Sequence, residues 1–252
     1  MNSTEELIRN GFQSPYQMTI DHDTNTLFFS YTARSDEMFK IAYLSLKTEE
    51  YGMVSGIRGG FATAVNSKSH VVYMGGDDGV YQYDYDTKKA TNLHIKNNTN
   101  IWQMFYKDGL YFTTYPDEKV YLYKDSQVVE VPEVKNIRVM TMAVNKDDNI
   151  VYCNSSGLFL YKKNEGTTIY LKDLVVNGFT ADIDGNLYFS TASAIYRLNE
   201  QTNEVDELVK IDNIYGVAIE SNGDFIYASD ENIVRLKQSQ KSCIKDLNQV
   251  EK

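Results

Sequence analysis

Short apolar runs alternate with short polar runs along the whole chain, and one four-residue pattern recurs six times. The copies are Leu27–Ser30, Val72–Gly75, Leu110–Thr113, Val151–Asn154, Leu187–Ser190 and Ile226–Ser229. Counted from the second residue of each copy, successive copies lie 36 to 45 residues apart. A period near forty residues, made of short runs of this kind, is typical of propeller blades and related β arrays.

Each repeat has the same internal order. An apolar stretch such as Val217–Ile219 comes first, a polar turn such as Asp182–Asn186 follows, and the recurring pattern comes next. A third strand and a more polar outer strand complete the unit. Asp, Asn and Gly in the turns tolerate the backbone geometry that tight hairpins require. The order predicts four antiparallel strands per repeat, which is one propeller blade.

The two ends of the chain predict how the ring closes. Residues 6–9 match the outer strand at 207–210, yet no inner strand precedes them, and the last repeat ends its strand pattern at Leu236. The first strand is therefore expected to complete the last blade, which removes an unpaired sheet edge. The predicted fold is an all-β, six-bladed propeller forming one domain over residues 1–252. Its blades are expected at roughly 16–57, 58–99, 100–137, 138–176, 177–212 and 213–237 with 5–10, followed by a polar tail at 238–252.

Composition and charge disfavour some classes of binding partner. A net charge of −10 disfavours nucleic acid and anionic membrane surfaces, since both require basic patches. No apolar run approaches the ~20 residues that span a bilayer. The glycosylation-type triplets at Asn2, Asn97 and Asn154 weakly favour a secreted protein. No leader precedes Met1, so we expect a processed form of that protein. We also expect a monomer. The two cysteines form no disulfide framework, and Cys153 is expected to be a buried small hydrophobe.

A ligand site is predicted at one end of the central channel, where inner strands begin and second strands end. Aromatic rings collect at these positions, together with a few charges. The predicted ligand-binding residues are Tyr16, Tyr31, Arg58, Phe61, Trp102, Tyr115, Arg138, Phe179, Tyr215 and Asp230. Rings bind a flat conjugated molecule by offset stacking, and a guanidinium binds a carboxylate. Two plainer interpretations stay open: the rings only pack blade against blade, and the arginines are ordinary surface charges.

Catalytic chemistry is less well supported. No acidic residue stands on the predicted inner strands, so no metal site is expected there, since hard ions need several oxygen ligands. His22, His70 and His94 fall away from the predicted site, and no serine occupies a glycine-flanked elbow. We expect no cofactor and assign no catalytic residue. The alternative hypotheses are a lyase, dehydratase or isomerase acting on an apolar oxidised substrate such as a fatty acid hydroperoxide, and a protein-interaction ring.

Several stretches resemble one known family. They are Ser14–Asp21, Asn25–Tyr31, Gly60–Val65, Gly79–Tyr85, Asn100–Trp102, Lys107–Thr113, Tyr215–Ile219 and Asn232–Lys237. Together they resemble the ommochrome-binding proteins of moth and butterfly haemolymph over roughly residues 7–237. The resemblance implies a secreted protein that binds yellow-to-red pigments derived from tryptophan, or their precursors, which are flat, aromatic and acidic. It supplies no binding residues, so the predicted site depends on repeat position alone.

Overall fold

The computed structural model describes residues 4–33 and 38–238, and these form six antiparallel sheets of four strands each. The chain begins with β1 (Thr4–Asn10). Blade 1 consists of β2 (Gln13–Asp21), β3 (Thr26–Thr32), β4 (Phe39–Ser45) and β5 (Tyr51–Met53). Blade 2 consists of β6 (Ala62–Asn66), β7 (Val71–Gly76), β8 (Gly79–Asp84) and β9 (Lys89–Ile95). Blade 3 consists of β10 (Asn100–Tyr106), β11 (Leu110–Tyr115), β12 (Val120–Lys124) and β13 (Gln127–Glu130).

A single-turn 3-10 helix (Pro132–Val134) connects blade 3 to blade 4. Blade 4 consists of β14 (Thr141–Val144), β15 (Ile150–Asn154), β16 (Gly157–Lys162) and β17 (Thr167–Lys172). Blade 5 consists of β18 (Gly178–Ala181), β19 (Leu187–Ser190), β20 (Ala194–Asn199) and β21 (Glu204–Lys210). Blade 6 consists of β22 (Ile214–Ile219), β23 (Phe225–Ser229) and β24 (Asn232–Lys237), and β1 is its fourth strand.

The first strand of each blade faces a common hub. β2, β6, β10, β14, β18 and β22 each contact the next inner strand in this order, and β22 contacts β2. The contacts therefore close a ring. The recurring four-residue pattern lies on the second strands, where Phe28, Phe29, Phe112 and Phe189 are fully buried. Their burial between sheets explains why each repeat needs the same apolar pattern.

Ring closure occurs as the sequence predicts. β1 pairs antiparallel with β24, in a register that runs from Thr4 opposite Lys237 to Asn10 opposite Asn232. Side chains add to the ladder, since the Tyr227 hydroxyl donates to Glu5 at 2.9 Å. The predicted all-β, six-bladed propeller, with its first strand completing the last blade, is confirmed.

Some details differ from the predicted boundaries or lie outside the described residues. β2 begins at Gln13, ahead of the predicted start of the first repeat, because Gln13 pairs with Thr32 of β3. The predicted tail from residue 239 onward, with Cys243, lies outside the described residues, as does Asn2. The part of the chain that the structure describes contains no helix with the length and apolarity that a bilayer crossing needs.

Candidate functional site

Six aromatic rings gather at the end of the hub where the inner strands begin. We call this group the aromatic mouth; it comprises Tyr16, Phe39, Phe61, Trp102, Tyr115 and Tyr215. The rings of Phe61 and Trp102 stack, with centroids 4.4 Å apart and an interplanar angle of 24°. Tyr16 connects this pair to the next blade, since its centroid lies 5.8 Å from Phe61 and 5.3 Å from Tyr215. Five of the ten predicted residues therefore meet in one cluster.

Irregular strand pairing places two of these rings. Ile101 pairs with Thr114 and Gln103 with Thr113, which leaves Trp102 as the extra residue of a β-bulge. Tyr215 is the extra residue of a second bulge, in β22. A bulge redirects the side chain that it carries, so these two rings leave the regular alternation of their strands.

Sequence reasoning missed one ring of the aromatic mouth. Phe39 is the first residue of β4, where it pairs with Thr32, and its centroid lies 4.5 Å from Phe61. The prediction considered only the starts of inner strands and the ends of second strands. Third strands also begin at this end of the hub, so an aromatic residue at the start of a third strand was the signal that could have found Phe39.

Tyr31 and Phe179 lie apart from the aromatic mouth. Tyr31 packs edge-on against Phe12, at 5.1 Å, within the core of blades 1 and 6. Phe179 packs against Phe189 of its own blade, at 5.6 Å. Both residues stand in regularly paired stretches, with Tyr31 opposite Lys40 and Phe179 opposite Phe189. Without a bulge, strand alternation directs each ring into the core or the channel.

Asp230 is a turn residue. It follows β23 in the tight hairpin that leads to β24, its backbone φ is +53°, and it is exposed. Aspartate adopts this left-handed conformation more readily than most residues, which accounts for its presence in the turn. Among the described residues it has no ion pair.

The two predicted arginines differ in how firmly they are held. Arg138 donates from Nε to Glu118 at 2.7 Å and from Nη2 to the Pro116 backbone oxygen at 3.2 Å. The hydrogen bond to Glu118 raises the pKa of Arg138, and that carboxylate compensates its charge. Arg58 is 76% exposed, and its Nε lies 3.7 Å from Asp77, which is a long ion pair. Arg58 is therefore freer than Arg138 to bind a new carboxylate.

Two hydrogen bonds that connect three blades lie next to the aromatic mouth, and we call this pair of bonds the crossing. Gln17 donates from Nε2 to the backbone oxygen of Asn177 at 3.1 Å, and Asn177 donates from Nδ2 to the backbone oxygen of Ile214 at 2.7 Å. These bonds connect blade 1, blade 5 and blade 6 across one side of the hub. Gly216 permits the close packing, since a Cβ there would lie 3.0 Å from Met18 Cγ and 3.2 Å from the Tyr16 carbonyl carbon.

A cavity of about 650 Å³ occupies the opposite part of the channel. We call it the channel chamber; its wall includes Gln17, Thr63, Met104, Phe105, Phe179 and Ile219. The turns after the inner strands form its rim, where Lys68, Asp108 and Asp184 are exposed. From the sequence, only turns were predicted at this end of the hub. A cavity between six strands produces no pattern in the sequence of any single strand.

The described residues include no group of three or more His, Cys, Asp or Glu side chains arranged to hold a metal ion. Burial lowers the pKa of His22, although Asp21, Asp23 and Glu220 partly oppose the shift. Burial raises the pKa of the Cys153 thiol, which also accepts a hydrogen bond from the Val176 amide at 3.5 Å. Both shifts have structural causes and neither group lies at the aromatic mouth.

The arrangement therefore suits binding by ring faces and charge. The aromatic mouth spans blades 6, 1, 2 and 3 and offers several ring orientations within a small area. Tyr16, Trp102 and Tyr215 are half-buried and Tyr115 is 53% exposed, so part of the cluster is open to solvent. A rigid, partly open group of rings binds planar molecules with little loss of side-chain entropy.

Comparisons with known proteins give one relative by sequence and many by fold. The chain is 40% identical over 242 residues to the ommochrome-binding protein of Manduca sexta, covering 93% of this chain and 88% of that one. A gluconolactonase from Xanthomonas campestris superposes with a TM-score of 0.75 at 10% identity, covering 93% and 89% of the two chains. Regucalcin from Agrobacterium tumefaciens gives 0.69 at 12%, covering 92% and 93%. At these low identities the two structures establish similarity of fold alone. No family model matches the chain.

Proposed function

The chain belongs to the ommochrome-binding protein family, and from this premise we propose that it binds a flat, conjugated, acidic small molecule at the aromatic mouth. The ligand class is an ommochrome pigment or a related tryptophan or kynurenine metabolite. The name of the Manduca sexta relative supports this class. The stacked pair of Phe61 and Trp102 is the observation that carries the choice of site, because it shows an aromatic face already formed at the hub.

The mode of binding follows from the surrounding rings. A planar guest stacks on the open part of the cluster, and the edges of Tyr16 and Tyr215 limit its lateral movement. The ligand carboxylate is held by Arg58, whose present partner Asp77 is 3.7 Å away. The guanidinium of Arg138 stays bound to Glu118, which compensates its charge, so Arg138 contributes less than Arg58 to holding the carboxylate. A secreted, monomeric carrier that uses no nucleic acid or membrane partner is part of the same proposal.

Fluorescence tests the proposal directly, because Trp102 is the only tryptophan in the sequence. Xanthurenic acid, a planar tryptophan metabolite with one carboxylate, is titrated into the purified protein. We expect saturable quenching of the emission, beyond the inner-filter loss measured with free N-acetyltryptophanamide. Tyr115→Leu and Tyr16→Leu should each weaken binding about five- to tenfold, the loss of roughly 1 kcal/mol of ring contact, because both rings are partly open to solvent.

The matched control is Tyr170→Leu, which removes an exposed ring on the outer strand of blade 4, distant from the aromatic mouth. It should leave the affinity unchanged. Equal affinities in the wild type, Tyr115→Leu and Tyr16→Leu would contradict the assigned site, and absence of saturable binding by any tryptophan metabolite would contradict the proposed function. Product formation from a hydroperoxide or a lactone would instead support the enzyme hypothesis.

A further inference from the structure

The channel chamber has properties that the aromatic mouth does not share. Its volume of about 650 Å³ falls in the range of small-molecule sites. Its wall is largely apolar, with Met18, Ile20, Met104, Phe105 and Ile219 contributed by three different blades. The crossing from Gln17 to Asn177 lies between this wall and the aromatic mouth. The chamber is thus a second concave surface at the other end of the hub.

One buried polar group on the wall lacks a partner. Thr63 of β6 is 6% exposed, lines the chamber, and its Oγ1 makes no hydrogen bond in the part of the chain that the structure describes. A buried hydroxyl left unpaired costs about 1–3 kcal/mol, so such groups in native proteins usually meet a water or a ligand. Thr63 therefore marks a place for a hydrogen-bonding group inside an otherwise apolar space.

The rim of the chamber is acidic. Three lysines and four aspartates line the chamber, and two of the lysines pair with further carboxylates outside the lining. The pairs are Lys68 with Asp108 at 3.1 Å, Lys107 with Asp148 at 2.7 Å and Lys146 with Glu200 at 3.3 Å. Each lysine charge is thus already compensated, and acid exceeds base around the opening. His22 adds little positive charge at neutral pH, since burial lowers its pKa.

Asp184 is the rim carboxylate that stays available. It is exposed on the turn between β18 and β19, and its side chain has no ion pair or hydrogen bond among the residues that the structure describes. Its neighbour Asp182 is engaged, because that carboxylate accepts hydrogen bonds from the Asp184 and Asn186 amides at 3.0 and 2.8 Å. A cation arriving at the rim therefore meets a free carboxylate at Asp184 and no free lysine.

We propose that the channel chamber is a second binding site, specific for an amphiphilic organic amine. The apolar body of the ligand lies between the inner strands, a hydrogen-bonding group of that body meets the Thr63 hydroxyl, and the ammonium group stays at the rim beside Asp184. The charge preference is opposite to that of the acidic ligand at the aromatic mouth, so the two ends of the hub select different molecules.

Calorimetry with matched compounds tests this site on the full chain. Tryptamine and indole-3-acetate share one ring system and carry opposite charges. In a Trp102→Leu background, where the aromatic mouth is disrupted, we expect tryptamine to bind at least tenfold more tightly than indole-3-acetate, since only the ammonium is favoured by an acidic rim. Asp184→Asn should weaken tryptamine binding about three- to tenfold and should not weaken indole-3-acetate binding. Trp102→Leu, which alters only the aromatic mouth, should leave tryptamine binding unchanged.

The hydrogen bond is tested separately. The indole N–H of tryptamine can donate to Thr63, whereas 2-(1-naphthyl)ethylamine has a similar body and no such donor. Thr63→Val keeps the shape of the side chain. We expect it to weaken the binding of tryptamine several-fold and to leave the binding of naphthylethylamine unchanged. If Thr63→Val does not fold, tighter binding of tryptamine than of naphthylethylamine by the wild type gives the same information.

Three results would overturn the proposal. They are equal binding of tryptamine and indole-3-acetate in the Trp102→Leu background, tryptamine binding that is lost in Trp102→Leu and kept in Asp184→Asn, and no measurable heat with either amine at millimolar concentration. None of these results bears on xanthurenic acid at the aromatic mouth.

Discussion

The Nε2 amide of Gln17 donates a 3.1 Å hydrogen bond to the backbone oxygen of Asn177, and this contact joins blade 1 to blade 5 past the inner strand of blade 6. Gln17 is buried and lines the channel chamber, whereas the preceding residue, Tyr16, belongs to the aromatic mouth. Two adjacent residues of β2 thus contribute to sites at opposite ends of the hub. The bond between Gln17 and Asn177 fixes the position of both.

Removing this bond should destabilise the ring without unfolding it. Gln17→Leu keeps the side-chain size and leaves the Asn177 oxygen without its donor, so we expect a loss of about 1–2 kcal/mol in the free energy of unfolding. Chemical denaturation at neutral pH measures the change. Gln82→Leu, at an exposed position of β8, is the control and should change stability by less than ~0.5 kcal/mol. Equal stability of the wild type and Gln17→Leu would show that the crossing contributes nothing.

The two arginines among the predicted ligand-binding residues should differ in their effect on ligand affinity. Arg58→Gln should weaken the binding of xanthurenic acid about tenfold, since a charge-assisted hydrogen bond to its carboxylate is lost. Arg138→Gln should weaken it less, because Glu118 holds that guanidinium at 2.7 Å. 4,8-Dihydroxyquinoline has the same ring system without the carboxylate, and Arg58→Gln should leave its affinity unchanged. A larger loss in Arg138→Gln than in Arg58→Gln would reverse the assignment.

Two glycines of neighbouring inner strands should respond oppositely to alanine. A Cβ at Gly216 would lie 3.2 and 3.3 Å from the Tyr16 backbone carbon and oxygen, whereas a Cβ at Gly178 would meet nothing within 4 Å. Gly216→Ala is therefore expected to destabilise the protein by about 1–3 kcal/mol. Gly178→Ala should be neutral or stabilising by up to ~1 kcal/mol, since it restricts the unfolded chain. Denaturation midpoints of the two variants, read side by side, check the contrast.

The thiol of Cys153 should react only when the protein opens. Burial raises the pKa of this thiol, and its sulfur donates to the Leu174 backbone oxygen at 3.4 Å. A Cys243→Ser background isolates Cys153 for a thiol-exchange assay at pH 8. We expect labelling of the native protein to be at least ~100-fold slower than in denaturant, since it requires local opening. Labelling at comparable rates in both states would show that blade 4 opens readily.

Ring closure should weaken in acid. Hydrogen bonds from Lys237 and Arg235 lower the pKa of Glu6 on β1, at 2.9 and 3.1 Å. A lowered folded pKa means that the stabilisation is complete above the ordinary glutamate pKa near ~4.3 and is lost as the pH falls through the folded value. Stability should therefore fall less steeply below pH 5 in Glu6→Gln than in the wild type. Glu49→Gln, on the turn after β4, serves as the control and should keep the wild-type slope.

The fold was predictable because it depends on a pattern repeated six times. The first and third residues of every copy, from Leu27 and Phe29 to Ile226 and Ala228, are buried, so the same requirement appears in the sequence of each blade. The match between residues 6–9 and 207–210 was sufficient to place β1. The residues that gather at the aromatic mouth were also predictable in part, because Tyr16, Phe61, Trp102, Tyr115 and Tyr215 stand at strand ends.

The remaining features depend on contacts between distant residues. Tyr31 and Phe179 occupy the expected strand positions, yet regular pairing directs their rings elsewhere, and bulges such as the one at Trp102 cannot be located from one sequence. The hydrogen bond from Gln17 to Asn177 joins residues 160 positions apart. No local pattern encodes such a distance. Whether the predicted residues bind a ligand stays a prediction until the titrations are made.

The pairing of β1 with β24 also sets an order of events during biosynthesis. Thr4 leaves the ribosome early, while its partner Lys237 is translated more than two hundred residues later. Blades 1 to 5 draw all four strands from contiguous sequence, so each can form while translation continues. The sixth cannot be completed until β24 has left the exit tunnel. Throughout that interval β1 is a nascent segment without its partner, and a chaperone that binds extended strands would find it there.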